Sequence, residues 1–467
     1  MKINRDYLIN TVLLFISVFV LIIPALKNGY PILFSDSGTY LSSGHSGYVP
    51  VDRPILYGIF VRHISLSWSV WLVVIMQSIL FNYCLFLISK FIIKAKNPVR
   101  VQAVMSVVLA LGTGIGYYSS LVIADIFASI SVLTMFFLLT IDKKEKFHIA
   151  ALSILLILSI GVHLSHIPLI AGISVLVGAY LFFVKKEAFK RYFKRVVYVA
   201  GLSVATLLLL ATINYSYDVG FKVSRTNNII LATRYIESGI ANRYLKQHCE
   251  DSDFNPPYAN LCNYTDKFGQ WYAAGNYLYE DNSPLYDGPC IEKGWTNCWI
   301  EKNEAYGQLV KDILSEKEFR NDFFALAVTG TLKQFFTFDQ THLIPLKLEH
   351  VIKKYYEDDL YQYQNSTQYK ETLRFEFSSI VEVFVFNISL VLLITIFFKY
   401  WGRLNTTEKL FILSIFMCLI VNSFTTATLS NVIPRYQGRV SFLLPLAVMT
   451  VIFRFLKQKK HTIKIEP

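Results

Sequence analysis

Charged residues are scarce in this chain: of its 467 residues only 17% are charged, while 54% are hydrophobic. Ordinary soluble domains carry about 25% charged residues. Glycine and proline are also few, at 22 and 14 residues, which excludes collagen-like and low-complexity disordered chains. The six cysteines are too few, in a chain this long, for a small disulfide scaffold. What remains is a folded, strongly apolar protein that is rich in phenylalanine and tyrosine.

Long hydrophobic runs are the most frequent feature of the sequence. A helix that crosses a bilayer needs about 20 mostly apolar residues, because hydrocarbon offers its backbone no water to bond. The sequence predicts an all-α polytopic membrane protein with about ten transmembrane helices. These lie near 8–26, 68–93, 101–118, 121–141, 147–162, 167–184, 196–213, 381–398, 410–428 and 439–456. The pair 147–162 and 167–184 is the shortest and is also compatible with one broken hairpin.

The formal charge of +12 would suit nucleic acid or basic cytoplasmic loops, and its distribution distinguishes the two. About 23 of the 45 basic residues, but only about six acids, fall on the side of the predicted membrane that holds both termini. The positive-inside rule makes that side cytoplasmic, so nucleic acid is excluded as a partner. We expect a bacterial inner-membrane protein with a periplasmic opposite face. The few charges at that outer boundary are Lys27, Asp36, Asp52, Arg53, Arg62, Asp125, Glu382, Arg435 and Arg439.

The predicted spans divide the chain into three parts. Residues 1–213 form an N-terminal transmembrane module whose first outer loop covers 27–67. Residues 214–380 form an extracytoplasmic segment with a net charge of roughly −6, opposite in sign to the whole chain. Its mixed charges and patterned apolar stretches predict a mainly helical domain. Residues 381–467 contain the last transmembrane helices and a cytoplasmic tail.

Four of the six cysteines, Cys249, Cys262, Cys290 and Cys298, fall in the extracytoplasmic segment. An even number of cysteines in an extracytoplasmic segment predicts disulfides, and four cysteines allow three connectivities. We favour the local pairs Cys249–Cys262 and Cys290–Cys298, because short loops close most easily. A zinc site is the alternative, but it needs closer ligand spacing than this.

Aromatic residues cluster around these cysteines. Aromatic faces suit either a domain core or a surface on which sugar rings stack, and we favour the core. The cluster comprises Trp271, Tyr272, Tyr277, Tyr279, Tyr286, Trp295 and Trp299.

Two acids lie close to the outer membrane boundary, where a carboxylate is costly. Asp36 follows the first span, in Phe34-Ser35-Asp36-Ser37-Gly38, and can act as a general base or a metal ligand. An Asx-turn or a helix N-cap explains it equally well. Asp125 lies at the outer end of a span, where an ionisable group suggests function. A helix-start acid stabilised by the helix dipole is the alternative.

Cationic and imidazole side chains lie at the same boundary and could bind a lipid phosphate. Arg435 and Arg439 lie on the side of the membrane that the positive-inside rule leaves poor in basic residues. Bidentate contacts with one bound lipid phosphate would explain their position. Contact with ordinary lipid headgroups would explain it as well. Arg53 is a third candidate, although a salt bridge to the adjacent Asp52 or an interfacial role accounts for it too. His163 and His166 share a helix face and could contact an anion or a metal, or could cap the neighbouring span.

Together these motifs resemble those of membrane glycosyltransferases of the GT-C fold. The resemblance rests on the two acids, on Arg53-Pro54-Ile55-Leu56-Tyr57, and on Pro434-Arg435-Tyr436. The first run is similar to the Arg/His-Pro-Pro-Leu-Tyr motif of protein mannosyltransferase-like and aminoarabinose-transferase-like members. The second resembles the Arg-Tyr motif of several branches. The resemblance covers about the first 200 residues and the last 50.

The resemblance implies transfer of a sugar from a polyprenyl-phosphate donor on the extracytoplasmic side. Asp36 would be the catalytic base, and Asp125 would support it. Either acid could ligate a divalent cation, Mg²⁺ or Mn²⁺. The donor phosphate would be held by Arg435, Arg439, Arg53, His163 and His166. The sugar stays open, as does the acceptor, which could be a glycan, a lipid or a protein.

Two other functions fit parts of the sequence. An O-antigen polymerase or ligase also pairs arginines with a large outer loop, although the long early loop argues against it. A flippase or exporter of polyprenyl-linked glycans would keep its polar residues at mid-membrane. Here the unusual charges lie at the outer boundary.

Overall fold

The computed structural model describes residues 5–184, 186–272, 276–340 and 347–462. Within these ranges the regular structure is helical, and no strand forms. The one β-like feature in them is a parallel bridge between Ile32 and Leu121. The predicted all-helical fold class is therefore confirmed for the described part of the chain.

The N-terminal part contains helices α1 to α11. Their bounds are α1 Arg5–Leu21, α2 Ile23–Asn28, α3 Ser35–Ser46, α4 Leu56–Ser65, α5 Trp71–Leu87, α6 Pro98–Gly112, α7 Ile115–Ser120, α8 Ile126–Thr140, α9 Lys146–Gly161, α10 His166–Val184 and α11 Lys186–Ser216. A π-helical turn, Ile88–Ile92, extends α5.

The remaining helices are α12 Asn227–Glu237, α13 Ile240–His248, α14 Asn276–Tyr279, α15 Trp295–Ser315, α16 Lys317–Phe335, α17 Glu349–Tyr355, α18 Leu360–Asn365, α19 Glu376–Thr395, α20 Thr406–Leu429, α21 Pro434–Ser441 and α22 Leu443–Thr462. A π-helical turn, Ile396–Tyr400, and the 3₁₀ turn Trp401–Arg403 extend α19. Further 3₁₀ turns lie at Ala259–Tyr264, Phe268–Trp271, Pro284–Tyr286, Pro289–Lys293 and Glu357–Asp359.

Six helical stretches among the described residues are long and apolar enough to cross a membrane. They are Trp71–Ile92, His166–Val184, Tyr192–Ser216, Glu376–Arg403, Thr406–Leu429 and Pro434–Gln458. The chain is accordingly a multi-pass membrane protein. Each stretch coincides with one of the predicted spans, including the second member of the pair that was compatible with a broken hairpin.

The other predicted spans correspond to helices too short to cross a bilayer unaided. The helices α6 and α8 have 15 residues each and α9 has 16, so each is about 23 Å long against a hydrocarbon thickness of about 30 Å. The helix α8 begins at Ile126 instead of near 121, because the backbone of 120–122 bonds to Ile32. The first predicted span is divided into α1 and α2. The count of about ten spans stays a prediction.

Two hydrophobic cores organise the molecule. The larger core joins the N-terminal helices to α19–α22. The smaller core is formed by residues between 229 and 319 together with Val51, and includes the buried aromatics Trp271, Tyr277 and Trp299. Buried residues of the stretch 348–363 belong to the larger core: Leu348, Val351, Ile352, Tyr356 and Tyr363. The segment 214–380 therefore contributes to both cores.

Both predicted disulfides are confirmed. Cys249 pairs with Cys262 and Cys290 with Cys298, at Cα–Cα separations of 5.7 and 4.9 Å. Each bond closes a short loop around the smaller core.

Candidate functional site

The start of α3 places Asp36 and is fixed by the residue next to it. The hydroxyl of Ser37 accepts a hydrogen bond from the backbone N–H of Phe34 and donates one to the carbonyl of Val122, both at 2.9 Å. The bridge between Ile32 and Leu121 holds the same two segments together. Because Ser37 caps the helix, the carboxylate of Asp36 is left to bind other side chains.

The crossing of α3 and α4 brings Arg53 to Asp36. A Cβ on Gly44 would lie 2.0 Å from the carbonyl oxygen of Gly58, so the two backbones can be this close only at glycine. Arg53, just before α4, then points back toward the start of α3. Its guanidinium lies over the ring of Tyr40, 5.1 Å from the centroid.

Asp36 lies between two arginines from opposite ends of the sequence. Its Oδ1 is 3.0 Å from Nη1 of Arg53, and its Oδ2 accepts a hydrogen bond of 3.0 Å from Nη1 of Arg435. Burial on its own raises the pKa of Asp36, but Arg53 and then Arg435 outweigh burial and hold that pKa well below its ordinary value. Arg53 also binds Asp52, so the local salt bridge considered for it exists as well.

Asp125 continues this network toward the interior. Its side chain is 3% exposed, with Oδ2 3.4 Å from Nε of Arg435 and Oδ1 3.3 Å from Nη1 of Arg439. Arg435 therefore bridges Asp36 and Asp125. The two acids that the sequence singled out share one arginine, although 89 positions separate them (125 − 36).

Arg439 is fully buried, and both of its Nη groups bind protein groups while its Nε has no hydrogen-bond partner among the described residues. Its Nη2 donates to the hydroxyl of Ser165 at 3.0 Å and to Oδ1 of Asn422 at 3.1 Å, while Nη1 faces Asp125. Its place in the fold is thus behind Arg435. A lipid phosphate outside the protein has no direct route to it.

The short helix α21 carries both arginines on one side. Gly438 lies between them, and a Cβ there would come within 2.0 Å of the hydroxyl of Tyr118. That hydroxyl donates to the carbonyl of Arg435 at 3.3 Å. Close contact at Gly438 thus sets the position of both guanidinium groups against α7 and α8.

The two histidines lie next to this network with stacked rings whose centroids are 5.2 Å apart. Nδ1 of His163 accepts from the backbone N–H of Ser165 at 3.2 Å, so the neutral ring carries its proton on Nε2. Nδ1 of His166 faces the carbonyl of Ser159 at 2.6 Å, which requires the opposite tautomer. Burial, then Arg439, lowers the pKa of His163 well below its ordinary value.

A cavity of about 450 Å³ lies between ends of the membrane helices and the segment 214–380, a size typical of small-ligand sites. Its charged wall consists of Asp36, Asp52, Arg53 and Arg435, with His163 beside it. The other lining residues come from the helix ends and the outer segment, and include Ile167, Pro168, Asn227, Ile230, Leu278, Tyr279, Trp299, Thr425, Leu429 and Tyr436. Asp125, Arg439 and His166 are not among the lining residues.

The aromatic cluster of the segment 214–380 is divided between the smaller core and the surface, and two of its members, Tyr279 and Trp299, line the cavity. Trp271, Tyr277 and Trp299 are almost fully buried, as expected for a core. Tyr279 is 67% exposed yet lines the cavity. Asp36, Asp52 and Arg53 are its charged neighbours.

A divalent cation at Asp36 and Asp125 does not fit these residues. Both carboxylates face guanidinium groups, and a cation between them would be repelled by Arg435. Among the described residues no group of three or more His, Cys, Asp and Glu side chains could hold a metal ion.

Sequence reasoning found the charged residues but not the neutral ones that position them. Ser37, Ser165 and Asn422 are ordinary polar residues in sequence, and their only signal is a location near a helix end. Glu382 lies apart from the cavity. It is buried and accepts from Ser441 at 2.6 Å and Gln340 at 2.8 Å.

Comparisons with known proteins identify no relative of this chain. No protein-family model, curated protein or solved structure matches the chain. Any functional conclusion therefore depends on the side chains around the cavity.

Proposed function

We propose that this membrane protein is a glycosyltransferase that takes a sugar from a polyprenyl-phosphate-linked donor and passes it to an acceptor hydroxyl at the extracytoplasmic ends of its helices. One observation carries the proposal: the carboxylate of Asp36 is held between Arg53 and Arg435 at the wall of a cavity beside the membrane helices. A GT-C-like fold with about ten spans and cytoplasmic termini in a bacterial inner membrane belongs to the same proposal.

The proposed reaction breaks one bond and forms one. The acceptor oxygen attacks the anomeric carbon of the donor, and the bond from that carbon to the phosphate oxygen breaks. The bonding electron pair leaves with the phosphate, and the proton of the acceptor hydroxyl passes to Asp36. A carboxylate is the only base this step needs. The acceptor is a hydroxyl of a glycan, a lipid or a protein.

Arg435 is the residue best placed to couple the donor to the base. Its Nη1 and Nε face Asp36 and Asp125, so Nη2 is the group we assign to the donor phosphate. The acids Asp36, Asp52 and Asp125 balance Arg53, Arg435 and Arg439, so an arriving phosphate competes with Asp36 for Arg435. Losing part of that contact raises the pKa of Asp36 and makes it a stronger base when the donor is bound.

The remaining residues take supporting roles. Asp125 and Arg439 are positioning residues, because they contact Arg435 or each other and do not line the cavity. The tautomer of His163 presents an N–H at Nε2 beside the cavity, which suits a hydrogen bond to a phosphate oxygen. His166 supports His163 by ring stacking.

The test is transfer by the purified protein in liposomes. The liposomes carry polyprenyl-phosphate sugars labelled in the sugar, together with a lipid and glycan extract as the acceptor source. Wild-type protein should move label into a product no longer linked through phosphate. Asp36→Asn should lower that rate by about 10²-fold or more, since general-base catalysis is worth about 10²–10⁴.

Asp358→Asn is the matched control, because Asp358 is an exposed acid outside the cavity. It should transfer like the wild type. Full activity of Asp36→Asn would refute the role of Asp36. Movement of the labelled lipid across the bilayer without any transfer would favour the flippase alternative instead. Label that enters a longer glycan but stays linked through phosphate would favour a polymerase or ligase.

A further inference from the structure

The helix α16 belongs to the segment predicted to lie wholly outside the membrane, yet one of its faces is apolar and exposed. Phe324, Val328, Leu332 and Phe336 follow one another at four-residue intervals, the last just past the helix end, and each is 60–63% exposed. Four-residue spacing places such side chains in one row along a helix. Single exposed apolar residues are common on proteins, but a continuous row of large ones needs a partner.

The opposite face of α16 packs against a membrane helix. Ala327 and Gly330 are buried there, and a Cβ on Gly330 would lie 3.2 Å from the Cβ of Ala427 on α20. Close backbone approach through small residues is typical of helix packing in a bilayer, where hydrophobic burial supplies no driving force. The stretch Thr406–Leu429, which forms α20, is one of the six of membrane length.

The end of α16 reaches the level of the membrane-length stretch Glu376–Arg403. The rings of Phe335 and Phe338 lie 6.1 and 4.6 Å from the ring of Phe386. Phe386 is ten residues after the start of that stretch (386 − 376), or about 15 Å along the helix axis. A bilayer that covers α19 therefore also surrounds the last turns of α16.

The helices that α16 packs against also carry exposed apolar residues. Phe384 on α19 and Phe424 on α20 are exposed apolar residues on membrane-length stretches. Lys317 and Glu318, at the opposite end of α16, are charged and exposed, as expected of an end in water. Lys333 is exposed near the deeper end, and a lysine there can extend its ammonium to the headgroups.

From these contacts we propose that α16 lies in the outer leaflet, with the row Phe324–Phe336 in contact with lipid acyl chains. The outer segment is then held by the bilayer as well as by protein contacts. Arg234 of that segment donates to the carbonyl of Ala427 at 2.8 Å, next to cavity-lining residues of α20. Lipid contact at α16 thereby stabilises the part of the cavity wall that the segment 214–380 forms, whatever reaction takes place there.

Spin labels on α16 test the proposal. Val328→Cys and Leu332→Cys, each labelled in liposomes, report whether oxygen or a water-soluble nickel chelate collides with that site. Asn321→Cys, one turn before the row, is the water reference, and Phe384→Cys is the lipid reference. The native free cysteines Cys84 and Cys418 are buried, and labelling of unsubstituted protein measures their background.

We expect the ratio of oxygen to nickel accessibility at both α16 sites to match the lipid reference and to exceed the water reference several-fold. A ratio like that at Asn321→Cys would overturn the proposal. Low accessibility to both probes would overturn it too, because a second copy or another protein would then cover the row. Phe336→Cys reports on the same row if either α16 substitution prevents folding.

Discussion

Replacing Arg439 with methionine is expected to destabilise the folded protein by about 3–5 kcal/mol, the range found when one partner of a buried ion pair is removed. The substitution keeps an unbranched side chain but removes the charge opposite Asp125. Asp125 is 3% exposed and cannot gain enough water to compensate. Its remaining cation, Arg435, is 3.4 Å away and is shared with Asp36.

The magnitude has two sources in the structure. The first is the uncompensated carboxylate of Asp125. The second is the loss of the hydrogen bonds from Nη2 to Ser165 and Asn422, each of a kind worth about 1.5–3 kcal/mol when the donor is charged. Removing both charges, in Asp125→Asn with Arg439→Met, leaves neither buried ion behind. The double variant should therefore cost less than the sum of the two single variants, by about 2–3 kcal/mol.

Unfolding in mixed micelles, followed by circular dichroism as sodium dodecyl sulfate replaces the mild detergent, measures these free energies. Arg454→Met is the matched control. Arg454 also pairs with a buried acid, Glu408, at 2.8 Å, but its own side chain is 23% exposed. Its loss should cost less. The reasoning would be refuted if Arg439→Met unfolded at the same detergent fraction as the wild type. It would also be refuted if the losses of unfolding free energy in the two single variants simply added in the double variant.

Three further outcomes follow from the site. Gly44→Ala should lower the free energy of unfolding by about 1–3 kcal/mol, because the added Cβ would lie 2.0 Å from the backbone of α4. Gly201→Ala should be nearly neutral in the same unfolding assay, because there is open space around Gly201. Because the pKa of Asp36 is depressed, its carboxylate stabilises the fold above about pH 4. The loss of unfolding free energy in Asp36→Asn should therefore be constant from about pH 8 to 5 and shrink only at lower pH. A loss that becomes smaller between about pH 8 and 6 would contradict this. Under the proposed function, Tyr279→Ala should raise the KM for the donor about fivefold, because a sugar ring can no longer stack on the tyrosine. Tyr279→Phe, and Tyr361→Ala at an exposed tyrosine, should keep a KM near that of the wild type. An equal rise in KM for Tyr279→Ala and Tyr279→Phe would argue against stacking.

The local features of the chain were predictable because they depend on neighbours in sequence. Hydrophobic runs of membrane length predicted the six membrane-length stretches. Short-loop closure predicted both disulfides. The predicted start of α8 near 121 was wrong, because the bridge to Ile32 draws that backbone out of the helix. A contact between residues so distant in sequence leaves no trace in hydropathy.

The sequence by itself therefore determined that this is a multi-pass membrane protein with a few costly charges near the ends of its apolar stretches. An acid or an arginine in such a place must find a partner, so each could be singled out from its position alone. Only the tertiary structure decided which partner each one has. It joined Asp36, Asp125 and Arg435 in one network, buried Arg439 behind it, and left Asp36 and Arg53 at the cavity. Those outcomes depend on close backbone contacts, such as that at Gly44, which no pattern along one chain reveals.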